Sequence, residues 1–550
     1  MDSTLIKGLL YSASHLLPSG KSRSPRVGAG DQSSPGDDLS DVPSCSPTTH
    51  VLPRPCLPLP PPSSEAPLAD AAPGHPPPPG AAPHTTTARE THWIRPLGYC
   101  EKLMTSAHVY GIMNTCYALW LDVRKPLDFD LVKRATKIMY RKMPHVQLGV
   151  GRHLGALWWR KMASPALDVD ELTTDDVMAA FEELLRHRYS LEGPLWFLRL
   201  VTPEGKSVLD ETAGHSHKYV CIFGFHHSVS DGTTNMQFCK VFVQVLDDLL
   251  QGRDVDMCSE GRFAEPFHDI LADAATSHLS LLSLFLSRFY KGILSYGAYV
   301  RNFTRLFPMP THKVAETHIL HYELEETTSK KLYLRCKMEG VTLNSAFTAA
   351  ANLALYLLMS ARGHSLKATQ INCVQVVNMR RYWPKPLQPN TFGCNISILD
   401  LDFQTEEKNL EEFWEYSRLV HSNISHHLTV TQRALTVQPI SERLKLVIGS
   451  NFWLSRLGLP STNNHHYCLT NMGNLRTAFP GTGDEVQVSK VLRSVSCHFM
   501  PTLCQHTLQT FRGRLCYSLD YYTQKMTRET ASQYAEEILR VLTSSIHAPN

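Results

Sequence analysis

The chain has 550 residues, enough for two or more domains with full cores, and its 43% hydrophobic content is ordinary for a globular protein. A formal net charge of +3 gives no overall attraction to nucleic acid or to an anionic membrane. The 14 cysteines are scattered with neither a CxxC pair nor a secretory framework, which fits reduced thiols in a cytoplasmic setting, and no uncharged apolar run reaches the length that spans a bilayer.

Residues 1–90 hold about half of the 35 prolines and almost no aromatics, the composition of a disordered tail that cannot bury a core. Its run Pro76 to Pro79 fits polyproline II and could dock an SH3 or WW-type partner, although a solvated tail is the simpler reading. The first residues have one lysine and a very short apolar stretch, which makes a poor signal peptide. Order is expected from Trp93 onward. Residues 114–123 read as a strand, 129–143 as a helix stopped by Pro144, and 175–188 as a second amphipathic helix. Trp158-Trp159 belongs to a strand, and Pro194-Leu195-Trp196 leads into another over 196–201.

Residues 219–225 (YVCIFGF) form a short apolar run of β-formers, the pattern of a strand covered on both faces. A polar loop follows, and then apolar residues at Met236, Phe238, Val241, Phe242, Val245, Leu246, Leu249 and Leu250, which is helical spacing up to a stop at Gly252. The loop reads Phe225-His226-His227-Ser228-Val229-Ser230-Asp231-Gly232. A histidine at a strand end can be held rigidly with one nitrogen free, and its ordinary pKa near neutrality lets it take and return a proton. Asp231 suits the N-cap of the helix, and Gly232, with no Cβ, lets the backbone turn tightly.

Residues 277–307 form apolar helices with sparse basic residues, expected to cover a domain junction, with peripheral membrane contact as the lesser reading. Further on, residues 317–324 alternate like a strand, 329–337 are helical, and 341–359 (opening VTLNSAF) form a long helix rich in small residues. Residues 371–379 (INCVQVVNM) are a buried strand followed by Arg380-Arg381, with Thr391-Phe392-Gly393-Cys394-Asn395 beyond it. The end reads strand 507–511, turn, strand 515–521 and helix 527–542. There is no GxSxG elbow, no Walker loop and no strand-linked GxGxxG. His465-His466 with Cys468 lacks a second spaced cluster, so no metal site is expected.

HHSVSDG resembles the HHxxxDG motif of the chloramphenicol acetyltransferase-like superfamily, which includes condensation domains, wax ester synthases and polyketide-associated acyltransferases. The order of the other pieces is similar too: Pro194-Leu195-Trp196 resembles a wax ester synthase motif, VVNMR resembles the VNxR strand, and residues 467–473 (YCLTNMG) resemble the SNxG segment. The DFGWG segment of the plant BAHD branch is absent, and Ser345 stands where relatives carry an aspartate. The resemblance implies an α/β fold of two chloramphenicol-acetyltransferase-like subdomains, 93–309 and 310–546, each a mixed sheet flanked by helices, with an active-site tunnel at their junction. It implies His227 as general base, His226 as support, Gly232 in the catalytic loop, and Asp231 and Arg380 as a structural ion pair. Asn471, Gly473 and Trp196 are implied at the substrate site. The implied reaction moves an acyl group from acyl-CoA or another acyl thioester to an alcohol or amine, with no cofactor. The alternative is a non-catalytic condensation-like scaffold.

Overall fold

The structure is a computed structural model describing residues 92–202, 217–265, 300–310, 314–363, 367–382, 391–433, 437–459, 461, 463–479 and 483–547. The expected tail 1–90 and residues 277–299 of the apolar stretch lie outside the described residues.

The first half opens with β1 (Trp93–Pro96), α1 (Tyr99–Val109), β2 (Asn114–Val123) and α2 (Phe129–Lys142). Then come β3 (Leu148–His153), β4 (Ala156–Lys161), β5 (Val169–Thr173), α3 (Val177–Leu184) and β6 (Trp196–Thr202). It continues with β7 (His217–His226), α4 (Gly232–Leu250), β8 (Arg262–Phe263) and α5 (Arg301–Leu306). Helix α3 is shorter than the 175–188 stretch expected. Asp176 caps its start, accepting from Ala179 N–H at 2.9 Å, and the chain turns after Leu184.

The second half runs through β9 (Thr317–Glu323), α6 (Glu326–Met338), α7 (Leu343–Ala361), β10 (Ala368–Asn378), β11 (Thr391–Phe392) and β12 (Ile396–Glu406). It closes with α8 (Phe413–Arg433), α9 (Val437–Arg456), β13 (His465–Asn474), β14 (Val486–Val495), β15 (Thr502–Phe511), β16 (Arg514–Tyr522) and α10 (Arg528–Ser545).

The first half is built on a five-stranded sheet in the order β14-β2-β7-β6-β5. Side chains alternate across its faces, as the pleat requires. Tyr117, Leu119, Leu121, Phe223 and Phe225 pack under α2 and α4, where Phe238 is completely buried. Cys116, Ala118, Phe197 and Ile222 point the other way, against Phe181 and Leu185 at α3 and Trp159 of the small β1-β4-β3 sheet. Each phenylalanine so enclosed contributes about 1.5–3 kcal/mol.

The second half carries a six-stranded mixed sheet, β12-β10-β13-β15-β16-β9, in which β13 runs parallel to both β10 and β15. One face is packed by α7, α8 and α10. The small side chains of α7 (Ala346, Ala349, Ala350, Ala351, Ala354) are wholly buried, which lets its neighbours approach closely. With 19 residues, α7 is long and apolar enough to cross a membrane, contrary to the expectation that no segment would be, but it is the core helix of this half.

One element breaks the expected division at residue 310. Strand β14 comes late in the chain yet pairs along β2, from Val486↔Val123 to Val495↔Thr115, and so belongs to the sheet of the first half. Its backbone ladder finds partners there, and it ties the two halves together beside the site.

Candidate active site

Strand β7 delivers its last residue, His226, opposite Asn114 of β2, and the next five residues form the loop that caps α4. His226 is completely enclosed. Its Nδ1 accepts the N–H of Ser228 at 3.1 Å and lies 2.7 Å from Ser228 Oγ, and its ring lies 4.4 Å from that of His108, centroid to centroid. Burial, reinforced by His108 and His227, holds its pKa well below the ordinary 6.5. His226 is therefore a neutral spacer that fixes the loop.

His227 differs. Its backbone N–H donates to Met113 O at 3.2 Å, and its ring Nδ1 lies 2.9 Å from the carbonyl oxygen of Ser230. A carbonyl can only accept, so Nδ1 carries the proton and Nε2 is left with its lone pair. Burial lowers the pKa of the ring below 6.5, and the charge of Arg493 acts in the same direction against the raising influence of Asp231. The imidazole is neutral at neutral pH, in the tautomer a base acting through Nε2 needs. Cys394 Sγ lies 3.8 Å from Nδ1 and 3.5 Å from Cys100 Sγ.

Asp231 caps α4, its Oδ1 accepting from Thr234 N–H at 3.0 Å. Its Oδ2 accepts from Arg380 Nη1 at 2.7 Å and from Asn395 N–H at 2.8 Å. The side chains are 1% and 11% exposed, so this is a buried ion pair across the two halves. Arg380 also donates to Thr391 O, Gly393 O and Thr234 Oγ1. Burial raises the pKa of Asp231, but Arg380 and the two N–H donors outweigh it, and the carboxyl sits below the ordinary range. Asn378, from the same VVNMR stretch, donates to Thr233 Oγ1 at 3.0 Å.

Gly232 has another reason to be glycine than the tight turn expected. It is not among the residues with positive φ. Instead, a Cβ there would lie 2.6 Å from Met472 Sδ and 3.5 Å from Arg493 Nη1. Close approach of the second half, not backbone freedom, favours glycine here, since any side chain would have to push Met472 aside.

These groups open onto one cavity of about 450 Å³. His227, Asp231 and Gly232 line it from the loop, Met113, Thr115 and Tyr117 from the sheet edge, and Val374, Val376, Thr470, Gln505 and Thr507 from the open face of the second sheet. Asn471 and Gly473 line it as well, with Gly473 in the left-handed region and its N–H bonded to Asn471 Oδ1 at 2.8 Å. Trp196 does not. It is fully buried, packs on Phe238 and donates its indole N–H to Val146 O at 3.0 Å, so the placement of Trp196 at the substrate site is corrected to the core. His465 and His466, on successive positions of β13, bond separately to Asp400 and Asn372.

Arg493 and His421 are among the lining residues that were not singled out from the sequence. Ser345, in the aspartate position of relatives, bonds His421 Nδ1 at 3.0 Å through its Oγ. Arg493 had a faint signal, since it falls on the buried phase of β14 with Val491 once the register shift between Val488 and Lys490 is counted. His421 had none, since only the tertiary fold brings it to the cavity, whereas Met472 lies within the 467–473 segment between Asn471 and Gly473.

No curated protein matches the chain. Among solved structures, trichothecene 15-O-acetyltransferase TRI3 from Fusarium sporotrichioides is similar at 13% identity and TM-score 0.62, covering 84% of this chain and 97% of that one. Polyketide synthase associated protein 5 from Mycobacterium tuberculosis is similar at 13% identity and TM-score 0.57, over 83% and 99% of the two chains. The condensation domain of the monacolin K polyketide synthase MokA is similar at 12% identity and TM-score 0.54, over 84% and 98%. At these identities the likeness establishes the two-subdomain fold. The profile of the alcohol acetyltransferase family matches residues 167–445, about half of the chain and the span that holds both the His227 loop and Arg380, so the protein belongs to the alcohol acetyltransferase family and is an O-acyltransferase.

Proposed function

We propose that His227 is the general base in transfer of an acyl group from an acyl thioester, acyl-CoA in the simplest case, to an alcohol held in the same cavity. The observation that carries this is the 2.9 Å bond from His227 Nδ1–H to Ser230 O, which leaves Nε2 bare on a ring lining the cavity. In this reading His227 Nε2 takes the hydroxyl proton as the alcohol oxygen attacks the thioester carbonyl, then gives the proton to the departing thiolate. Alignment of both substrates in one cavity supplies the proximity, and no covalent acyl-enzyme or cofactor is needed. Asp231 and Arg380 hold the loop in place, and Asn471 and Gly473 form part of the acceptor wall. The scattered cysteines and modest net charge favour a cytoplasmic setting.

A purely scaffolding role gives no reason for a buried ion pair to fix the loop behind a cavity-lining histidine with one ring nitrogen free. Incubation of the purified chain with mixed acyl-CoAs and alcohols, followed by mass spectrometry, tests the proposal. New esters that depend on His227 are expected, and their absence across all donors and acceptors would refute it.

A further inference from the structure

We propose that Arg493 supplies the positive charge that stabilises the oxyanion formed on the thioester carbonyl. This rests on the acyl-transfer reading above and adds to it the group that receives the developing charge.

Arg493 is a buried cation that no carboxylate contacts directly. It is 9% exposed, and among the described residues it joins no carboxylate in an ion pair. Its Nη2 is held by Thr470, 3.3 Å from the carbonyl oxygen and 3.0 Å from Oγ1, and its Nε has no partner. Its Nη1 lies 3.5 Å from where a Cβ on residue 232 would stand, so the guanidinium is pressed against the start of α4. Arg493 and His227 line the same cavity, and the guanidinium is near enough to depress the pKa of His227.

The other titratable groups around Arg493 neutralise it at most in part. Tyr117 and Cys468 are buried, with pKa values raised by that burial, and remain uncharged at neutral pH. Asp520 is fully buried, bonds Gln505 Nε2 at 3.3 Å and is pushed up to about 7 by burial against the lowering influence of Arg493, so near neutrality it carries only part of a negative charge and makes no direct ion pair with the guanidinium. An enclosed cation that is compensated only in part is costly, and the cost falls when an anion forms beside it. The reacting groups, a thioester carbonyl and an alcohol hydroxyl, are themselves neutral. The reaction makes the anion. As His227 Nε2 takes the hydroxyl proton, the new C–O bond forms and the carbonyl π pair moves onto oxygen. The pair then returns, the C–S bond breaks, and the thiolate takes the proton from His227. A fixed cation that meets charge only at the tetrahedral stage stabilises the transition state more than the ground state.

The test compares wild type, Arg493→Gln and Arg493→Lys as full chains. Thiol release from acetyl-CoA with hexanol gives kcat and KM, calorimetry gives the affinity for hexylphosphonate (a tetrahedral anion), and thermal scans give the unfolding midpoint. Arg493→Gln is expected to lose about 10²–10³ in kcat, the loss seen on removing one oxyanion donor, with both KM values nearly unchanged. Arg493→Lys should keep part of the rate. Hexylphosphonate should bind wild type and bind Arg493→Gln about tenfold or more weakly. The midpoint should change little, since a neutral side chain that can still bond Thr470 replaces a charge held in no direct ion pair. Full kcat in Arg493→Gln beside an active wild type would overturn the proposal and leave the role of His227 standing. A rise in KM alone, or rate lost together with the midpoint, would assign Arg493 to ground-state binding or to structure and overturn it as well. No turnover by wild type with any of the mixed acyl-CoAs and alcohols would overturn the acyl-transfer reading and this proposal with it.

Discussion

Replacing Asp231 with alanine removes three hydrogen bonds at once: the cap to Thr234 N–H, the bond from Asn395 N–H and the ion pair with Arg380. Loss of an N-cap costs about 1 kcal/mol, and a stranded buried N–H costs about 1–3 kcal/mol. Breaking a buried ion pair costs about 3–5 kcal/mol, but Arg380 keeps the carbonyl oxygens of Thr391 and Gly393, so its share lies at the low end. These costs overlap, and the expected loss for Asp231→Ala is about 4–5 kcal/mol, a large part of the 5–15 kcal/mol of a typical domain. Arg380→Ala leaves the carboxylate its two N–H donors and should cost about 3 kcal/mol. The double replacement strands neither charge and should cost about 2 kcal/mol less than the sum. Urea unfolding midpoints followed by tryptophan fluorescence give the cycle. The same pair sets a pH dependence. The pKa of Asp231 is lowered on folding, so its stabilisation is present above the ordinary carboxylate range and is lost as pH falls through the folded value. Single losses below about 1 kcal/mol that add without coupling would refute the reasoning, because a buried, multiply bonded pair cannot be removed so cheaply.

Because burial lowers the pKa of His227, the acid limb of kcat/KM against pH should inflect below 6.5, activity falling as pH drops through that value. Arg493→Gln should move the inflection upward, and an acid limb above 6.5 in wild type would contradict the environment described here. Gly232→Val places a side chain on Met472 Sδ and should cost about 1–3 kcal/mol and slow turnover. Adding Met472→Ala should recover most of the stability, and a double variant no more stable than Gly232→Val would mean the clash lies elsewhere.

The parts of this fold that rest on local pattern could be read in the sequence. The strand ending at His226, the cap at Asp231 and the helix to Leu250 follow from an apolar run, a capping residue and 3.6-residue spacing. The pairing of Asp231 with Arg380 was legible only through resemblance, since 149 residues separate them. What was missed depends on contacts the chain makes late. Strand β14 alternates well enough to be a strand, but nothing local says that it joins β2 rather than its sequence neighbours. Trp196 sits in a motif and lies in the core, because a large indole whose N–H finds a backbone carbonyl is more favourably buried than left at a cavity wall. Gly232 is conspicuous in sequence, but the reason for it, Met472 and Arg493, arrives from more than 200 residues away.

The most direct test of His227 as base is the rate of thiol release from acyl-CoA in the presence of alcohol, measured for wild type and His227→Ala at pH 7.5 with unfolding midpoints taken on the same preparations. His227 is half-buried at the cavity wall, and the ring makes one bond of ordinary length to Ser230 O, so its loss should leave the midpoint nearly unchanged. The rate should fall by about 10²–10⁴, the usual contribution of a positioned general base. Wild-type turnover in a folded His227→Ala protein would contradict the assignment.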